Sequence, residues 1–365
     1  MTQRMKLHEE NLNINKDAGN TKGNKKRILE MDVCRALATI AVIVIHTSAY
    51  TLSGVKDKGS ELYYITLIVN QLARFSVPAF VFISGVGLAL SYKKNTNYFK
   101  FEFKRLSSVI PEYLIWCFIY LYIISGNKNF GTWPSLILSG DKAYYHFYFV
   151  PMIVKLYILF PILYIVMKKK MGLLVSFLIT AGILTTGHYY NIPNLTLDFY
   201  SKRNILFWIF YFSLGIYTSG RLYTYIGKLK GYKKFTTLLF IICTALIIME
   251  AIQGLVQSKP IDYYTTFLRP SIIGYSLSVI ILIFSMTYRN NLPFKFLKSI
   301  SDKSYVMYLS HPSILYYYMN WMKEVDLPLE SGFFLISSTI ICISGTLLIG
   351  MIVERIKLLI TRNSY

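Results

Sequence analysis

The sequence predicts an all-α, polytopic membrane protein of about ten transmembrane helices with both termini in the cytoplasm. Three observations carry that expectation. Of 365 residues, 54% are hydrophobic and 16% aromatic, more apolar surface than one soluble core takes up. The apolar residues gather in runs of roughly twenty, the length that crosses a bilayer core. Lys/Arg clusters then mark alternate connections between the runs, as the positive-inside rule requires of cytoplasmic loops.

Taken in order, the spans are expected at roughly residues 31–51, 67–92, 106–125, 145–167, 171–190, 203–219, 234–256, 264–288, 303–322 and 332–354. Before the first, residues 1–29 are polar and Lys/Asn-rich with no apolar core, which reads as a disordered cytoplasmic tail rather than a signal peptide. Basic clusters follow at Lys25 to Arg27, Lys93 to Arg105, Lys168 to Lys170, Lys228 to Lys234, Arg289 to Lys303 and Arg355 to Arg362. The alternate connections are closer to balance, as in Lys56, Asp57, Lys58 and Glu61. The transmembrane domain is thus expected over 30–356, with a short cytoplasmic tail at 357–365. Residues 63–92 are too long for one untilted span, which suggests that their first part lies at the outer interface.

The net charge of +21 belongs to these flanks, so topology explains it better than a nucleic-acid surface does. Cys34, Cys117, Cys243 and Cys342 all fall inside apolar runs, without disulfide or metal-ligand spacing.

The first span, "DVCRALATIAVIVIHTSAY" (32–50), keeps an arginine and a histidine. An arginine at mid-bilayer costs at least ~2.5 kcal/mol, so such residues usually face the protein interior and mark a pathway or site. Arg35 and His46 are eleven positions apart, close to three helical turns, so both project from one face, ~16 Å apart along the axis. Arg35 then lies near the cytoplasmic mouth and His46 near the outer leaflet. Asp32, three positions before Arg35, shares its face and is placed to pair with it. Taken singly, Arg35 also reads as a snorkelling anchor and His46 as an interhelical hydrogen bond; their shared face argues for a site.

Other polar residues sort by depth. His46, His146 and His188 fall near outer ends of spans, and His311 near mid-membrane. Arg74, Glu250 and Arg269 fall in outer halves and Lys155 is deep in its span, while Glu250 and Arg269 also read as a structural ion pair. The concentration points to a polar cavity open to the outside, where imidazoles accept protons near neutral pH.

Asp32-x-x-Arg35, followed by ten residues and His46, resembles the first-helix signature of the acyltransferase 3 family, integral-membrane enzymes that acylate cell-surface carbohydrates. Further stretches agree in order: "RFSVPAFVFISGVGLAL" (74–90), "FKRLSSVIPEYLIW" (103–116), "YYHFYFVPMIVKLYILFP" (144–161), "ISDKSYVMYLSHPSI" (300–314) and, more weakly, "YFSLGIY" (211–217). Within the family the chain is most similar to the branch associated with the polysaccharide intercellular adhesin, a poly-N-acetylglucosamine polymer.

The resemblance implies roles. Arg35 helps hold an acyl-CoA from the cytoplasmic side, and His46 is the general base. Arg74 and Ser84-Gly85 belong to the second-helix signature, Arg105 to a basic motif near the donor, and His146 and His311 to later signatures. Many relatives carry a second arginine three residues after the first in the basic motif; Ser108 stands there, which leaves donor phosphate contacts to Lys104 or other residues. Ser84, Tyr148 and His311 are expected to contact the substrate. A sugar hydroxyl needs a base as it attacks a thioester, a task suited to an imidazole with an unperturbed pKa of about 6.5. The oxyanion needs donors, which Arg74, His146 or Tyr148 supply.

The expected reaction transfers an acyl group, acetyl or succinyl, from cytosolic acetyl-CoA or succinyl-CoA to a hydroxyl of an extracytoplasmic glycan. No metal, permanently bound cofactor or nucleic acid is expected. The partners are acyl-CoA, a cell-surface polysaccharide or other glycan acceptor, and the lipid bilayer of a bacterial plasma membrane. The alternative is a transporter or flippase exporting a polysaccharide or lipid-linked glycan, with Tyr144, Tyr145 and Tyr148 along a sugar path. Inverted repeats would favour it, and none is visible in the sequence.

Overall fold

The computed structural model describes residues 27–92, 97–190, 201–289 and 291–362. The expected tail lies almost wholly outside them, as do Lys25, Lys26, Lys93 and Lys94. All regular structure among the described residues is helical. Six helical runs are long and apolar enough to cross a membrane: Leu29–Gly54, Glu61–Ser91, Tyr98–Ile124, Lys170–Tyr189, Lys233–Val256 and Gly332–Ile360. A seventh is added if Phe149–Ile158 and Phe160–Val166, bent by 61°, are one span.

We number the α-helices in chain order. Helix α1 (Leu29–Gly54) is followed by α2 (Glu61–Leu72), which passes through a 3₁₀ turn at Ala73–Phe75 into α3 (Ser76–Ser91). The stretch that looked too long for one span is therefore a single run with a tightened turn at Arg74. Pro78 lacks the N–H that would reach the Arg74 carbonyl, which opens the ladder there. Helix α4 (Tyr98–Phe118) continues as a π-helix over Ile119–Ile124, and the short α5 (Trp133–Ser139) precedes the bent pair α6 (Phe149–Ile158) and α7 (Phe160–Val166). That bend has the same cause: Pro161 cannot bond the Tyr157 carbonyl. The Tyr98 hydroxyl donates there instead, at 3.4 Å, and to Ile158 O at 3.0 Å.

Then come α8 (Lys170–Tyr189), α9 (Ile209–Ser219), α10 (Leu222–Gly231), α11 (Lys233–Val256), α12 (Ile261–Thr265), α13 (Ser271–Ser285), α14 (Leu292–Glu324) and α15 (Gly332–Arg362). Three of the ten expected spans are thus helical without meeting the criterion for crossing by length and composition. Helix α9 is short, Pro270 separates α12 from α13, and α14 is long but rich in Tyr, Ser and His. A helix shielded by its neighbours needs no lipid-like surface of its own, and α14 packs between α1 and α15 with Ser310 and His311 fully buried.

Helix α1 is central, packing on α2, α3, α14 and α15. Helices α8, α11 and α15 are peripheral and present apolar side chains outward, such as Leu178, Ile241, Met249 and Leu348, as a lipid-facing surface does. Lys155, expected deep in its span, lies within α6 with its side chain exposed on the surface of the helix bundle.

Helices α3 and α9 meet in backbone contact. A Cβ on Gly85 would lie 2.3 Å from the Phe212 carbonyl oxygen, and one on Gly215 would lie 2.3 Å from that of Phe82. Small residues let membrane helices approach to backbone contact, and backbone cannot rotate aside as a side chain can. Gly215→Val should therefore destabilise the fold by at least ~1–3 kcal/mol, read as a lower unfolding temperature in detergent. Gly182→Val on α8, with open space around it, should stay near wild type. Equal effects of the two would remove the α3–α9 contact as a determinant of stability.

Candidate functional site

A single cavity of about 1240 Å³ runs along the face of α1 that carries Arg35 and His46, and both residues line it. At the Arg35 end its wall includes Arg105, Ser108 and Asp302; midway it passes Ser84, Tyr157 and Tyr305; at the His46 end it meets Arg74, His146, Tyr148 and Lys202. The side chains expected from four separate sequence stretches thus share one space.

The Arg35 end is built on α1 and the first half of α14. Arg35 Nη1 donates to Ser301 Oγ at 3.4 Å, and Ser301 Oγ donates to Asp32 Oδ1 at 3.1 Å. The expected Asp32–Arg35 pair is corrected. Asp32 is held in a two-nitrogen fork by Arg27, with Nη2 at 2.8 Å from Oδ1 and Nε on the other oxygen. Arg27 precedes the helix and meets the carboxylate in the bidentate geometry that favours a guanidinium. Arg27 also pairs with Asp302. Arg35 is thereby left facing the cavity with one long hydrogen bond. Arg105 lines the cavity, whereas Lys104, one residue earlier on α4, is exposed and lies outside the wall. Ser108, in place of the second arginine of many relatives, does line it.

The His46 end is aromatic and imidazole-rich. The His46 ring lies 4.9 Å from Tyr145, 5.1 Å from His311 and 6.5 Å from His146, with His146 5.2 Å from His311, centroid to centroid. His146 and His311 are buried, and His311 stands behind His46 rather than in the cavity wall. Arg74, on the 3₁₀ turn, is also buried. Its Nε donates to Asn70 Oδ1 at 3.0 Å, and Asn70 Nδ2 donates to Ser48 Oγ at 2.8 Å and Ile45 O at 3.3 Å on α1. One amide thus ties the arginine to the helix that carries His46.

His188, Glu250 and Arg269 belong elsewhere. Glu250 sits 3.4 Å from Arg269 and 3.9 Å from His188, and accepts from the Tyr189 hydroxyl at 3.1 Å. The Arg269 guanidinium also reaches Gln71. This is the structural ion pair that the sequence left open.

Asn70, Lys202, Tyr157 and Tyr305 line the cavity without having been singled out. Asn70 was accessible, since it lies four residues before Arg74, the spacing at which helical side chains meet. Lys202 sits outside any helix, and nothing local points it inward.

Similar proteins include one named "Probable poly-beta-1,6-N-acetyl-D-glucosamine export protein" from Staphylococcus aureus (strain MRSA252), 25% identical over 312 residues, covering 80% of this chain and 83% of the relative. One of the same name from Staphylococcus epidermidis is 25% identical over 313 residues, covering 80% and 82%. No solved structure matches. The family model described as "Acyltransferase domain" matches residues 28–354. The chain is therefore a multi-pass bacterial membrane protein that belongs to the acyltransferase 3 family.

Proposed function

We propose that this protein is an O-acyltransferase that takes an acyl group, acetyl or succinyl, from a cytosolic acyl-CoA and places it on a hydroxyl of an extracytoplasmic glycan. The observation that carries the reading is the continuous cavity with Arg35 and Arg105 at one end and His46 at the other. With both termini cytoplasmic and ten membrane-crossing segments, the Arg35 end faces the cytosol, in keeping with the basic connections on that side. The anionic head of the donor stays there, and its uncharged arm spans the ~16 Å to His46.

In the chemical step the glycan oxygen bonds to the thioester carbonyl carbon as its proton passes to His46. The carbon–sulfur bond then breaks, and the departing thiolate takes that proton back. Arg74, His146 and Tyr148 surround the place where the oxyanion forms, and preorganised donors in such a site favour the transition state. Ser84, midway along the cavity, completes the substrate side, while His311, expected to contact the substrate, stands behind His46 and out of its reach; Lys104 adds positive charge at the donor mouth.

The names of the relatives favour a second reading, export of a poly-N-acetylglucosamine chain. Sealed vesicles loaded with labelled acetyl-CoA, with a β-1,6-linked N-acetylglucosamine oligomer outside, separate the two. Label on the external oligomer supports the transferase. Movement of the oligomer across the bilayer with no label on it would overturn that reading in favour of export.

A further inference from the structure

Two irregularities in helices that meet behind His46 have one physical consequence. Within α14, Pro312 has no N–H to offer the Tyr308 carbonyl four residues earlier. That carbonyl is 2.7 Å from His311 Nδ1. A carbonyl only accepts, so the ring nitrogen facing it carries the proton. Next along the same break lies the Ser313 N–H. It donates at 3.0 Å to the Tyr120 hydroxyl, which in turn donates at 2.9 Å to Leu309 O. The phenol is thus inserted into the helix ladder, one of the recognised causes of a kink. Tyr120 itself sits on the π-helix Ile119–Ile124, a distortion frequent at functional sites.

With Nδ1 protonated, His311 Nε2 carries the lone pair, and among the described residues that buried atom has no hydrogen-bond partner. Its ring is 5.1 Å from that of His46, centroid to centroid, close enough for an N···N contact of ~3 Å after a turn of one imidazole.

We propose that Pro312 and Tyr120 are positioning residues that lock His311 in the Nδ1–H form, so that its Nε2 accepts the ring N–H of His46 and aims the opposite His46 nitrogen into the cavity. No proton leaves His46 for His311. The second imidazole orients the first and stabilises its protonated form, as a carboxylate does for other catalytic histidines. This role rests on the reading of His46 as base, but the locked tautomer does not.

The test uses the full chain in lipid nanodiscs with ¹⁵N-labelled histidine. The His311 signals are identified by their loss in His311→Gln, and turnover is measured with acetyl-CoA and a β-1,6-linked N-acetylglucosamine oligomer. Wild type should show His311 with one protonated and one bare ring nitrogen. Pro312→Ala supplies the missing N–H, which competes for the Tyr308 carbonyl, so it should raise the unfolding temperature while the single tautomer becomes a mixture. In that variant and in Tyr120→Phe, kcat should fall about ten-fold or more with the KM for acetyl-CoA unchanged.

A merely structural proline would instead give a thermal shift with no change in tautomer or kcat. An unchanged tautomer in Pro312→Ala overturns the lock. Wild-type kcat in both variants, alongside an inactive His46→Ala, overturns the positioning role and leaves the base intact. An active His46→Ala removes the base and with it the positioning role, while the ¹⁵N signals still decide the tautomer.

Discussion

His46→Ala is expected to abolish acyl transfer, lowering kcat by about 10²–10⁴-fold, while expression and acyl-CoA binding stay near wild type. The expectation follows from where the residue acts. A base takes part only in the chemical step, so its loss lowers kcat without weakening the ground-state complex. The fold should tolerate the change, because the side chain borders a large cavity and its removal enlarges existing space rather than opening a sealed void. Measured turnover of purified wild type and variant, with acetyl-CoA binding followed by calorimetry, gives both quantities. Near wild-type kcat would make the base assignment wrong, and a parallel loss of binding would point to the donor path instead.

Arg35→Ala is expected to have the opposite signature. The affinity for acyl-CoA should fall by roughly 10- to 100-fold, the size of one lost hydrogen bond to a charged group. Arg35→Lys should recover part of it, since an ammonium restores the charge but not the planar fork that meets phosphate or carbonyl oxygens. Folding should survive both changes, because Asp32 keeps its partner in Arg27 and Arg35 gives up one 3.4 Å contact to Ser301. This separates a donor residue from a structural anchor, whose loss would show as poor expression. Equal acetyl-CoA affinity in wild type and both variants would remove Arg35 from the donor site.

The corrected ion pair at Asp32 illustrates a limit of helical spacing. Three positions apart on one helix is sufficient for two side chains to meet, yet a residue preceding the helix competed better because it approaches with two nitrogens at once. In the same way Lys104 and Arg105 were equivalent as charges in a basic cluster, and they point to different sides of α4. The three histidines that come together were all visible as scarce polar residues in apolar runs. His188, visible by the same sign, was drawn instead into the network of Glu250 and Arg269.

What the sequence by itself determined was the class of the molecule and the pairing of Arg35 with His46. Apolar length and basic flanks respond to a bilayer of known thickness, and the phase of two residues on one helix follows from its pitch alone. What the tertiary structure decided was everything that depends on two helices meeting. Asn70 holds Arg74 against α1, Gly85 and Gly215 bring α3 and α9 into backbone contact, and Tyr120 enters the gap beside Pro312. A proline marks in the sequence where a carbonyl will be released, but which donor satisfies it is settled by what packs there: the neighbouring imidazole at Tyr308 and the hydroxyl of Tyr98 at Tyr157. Local chemistry creates each unsatisfied group, and the cost of leaving it unpaired in a water-poor interior makes the fold supply a partner from wherever the chain brings one.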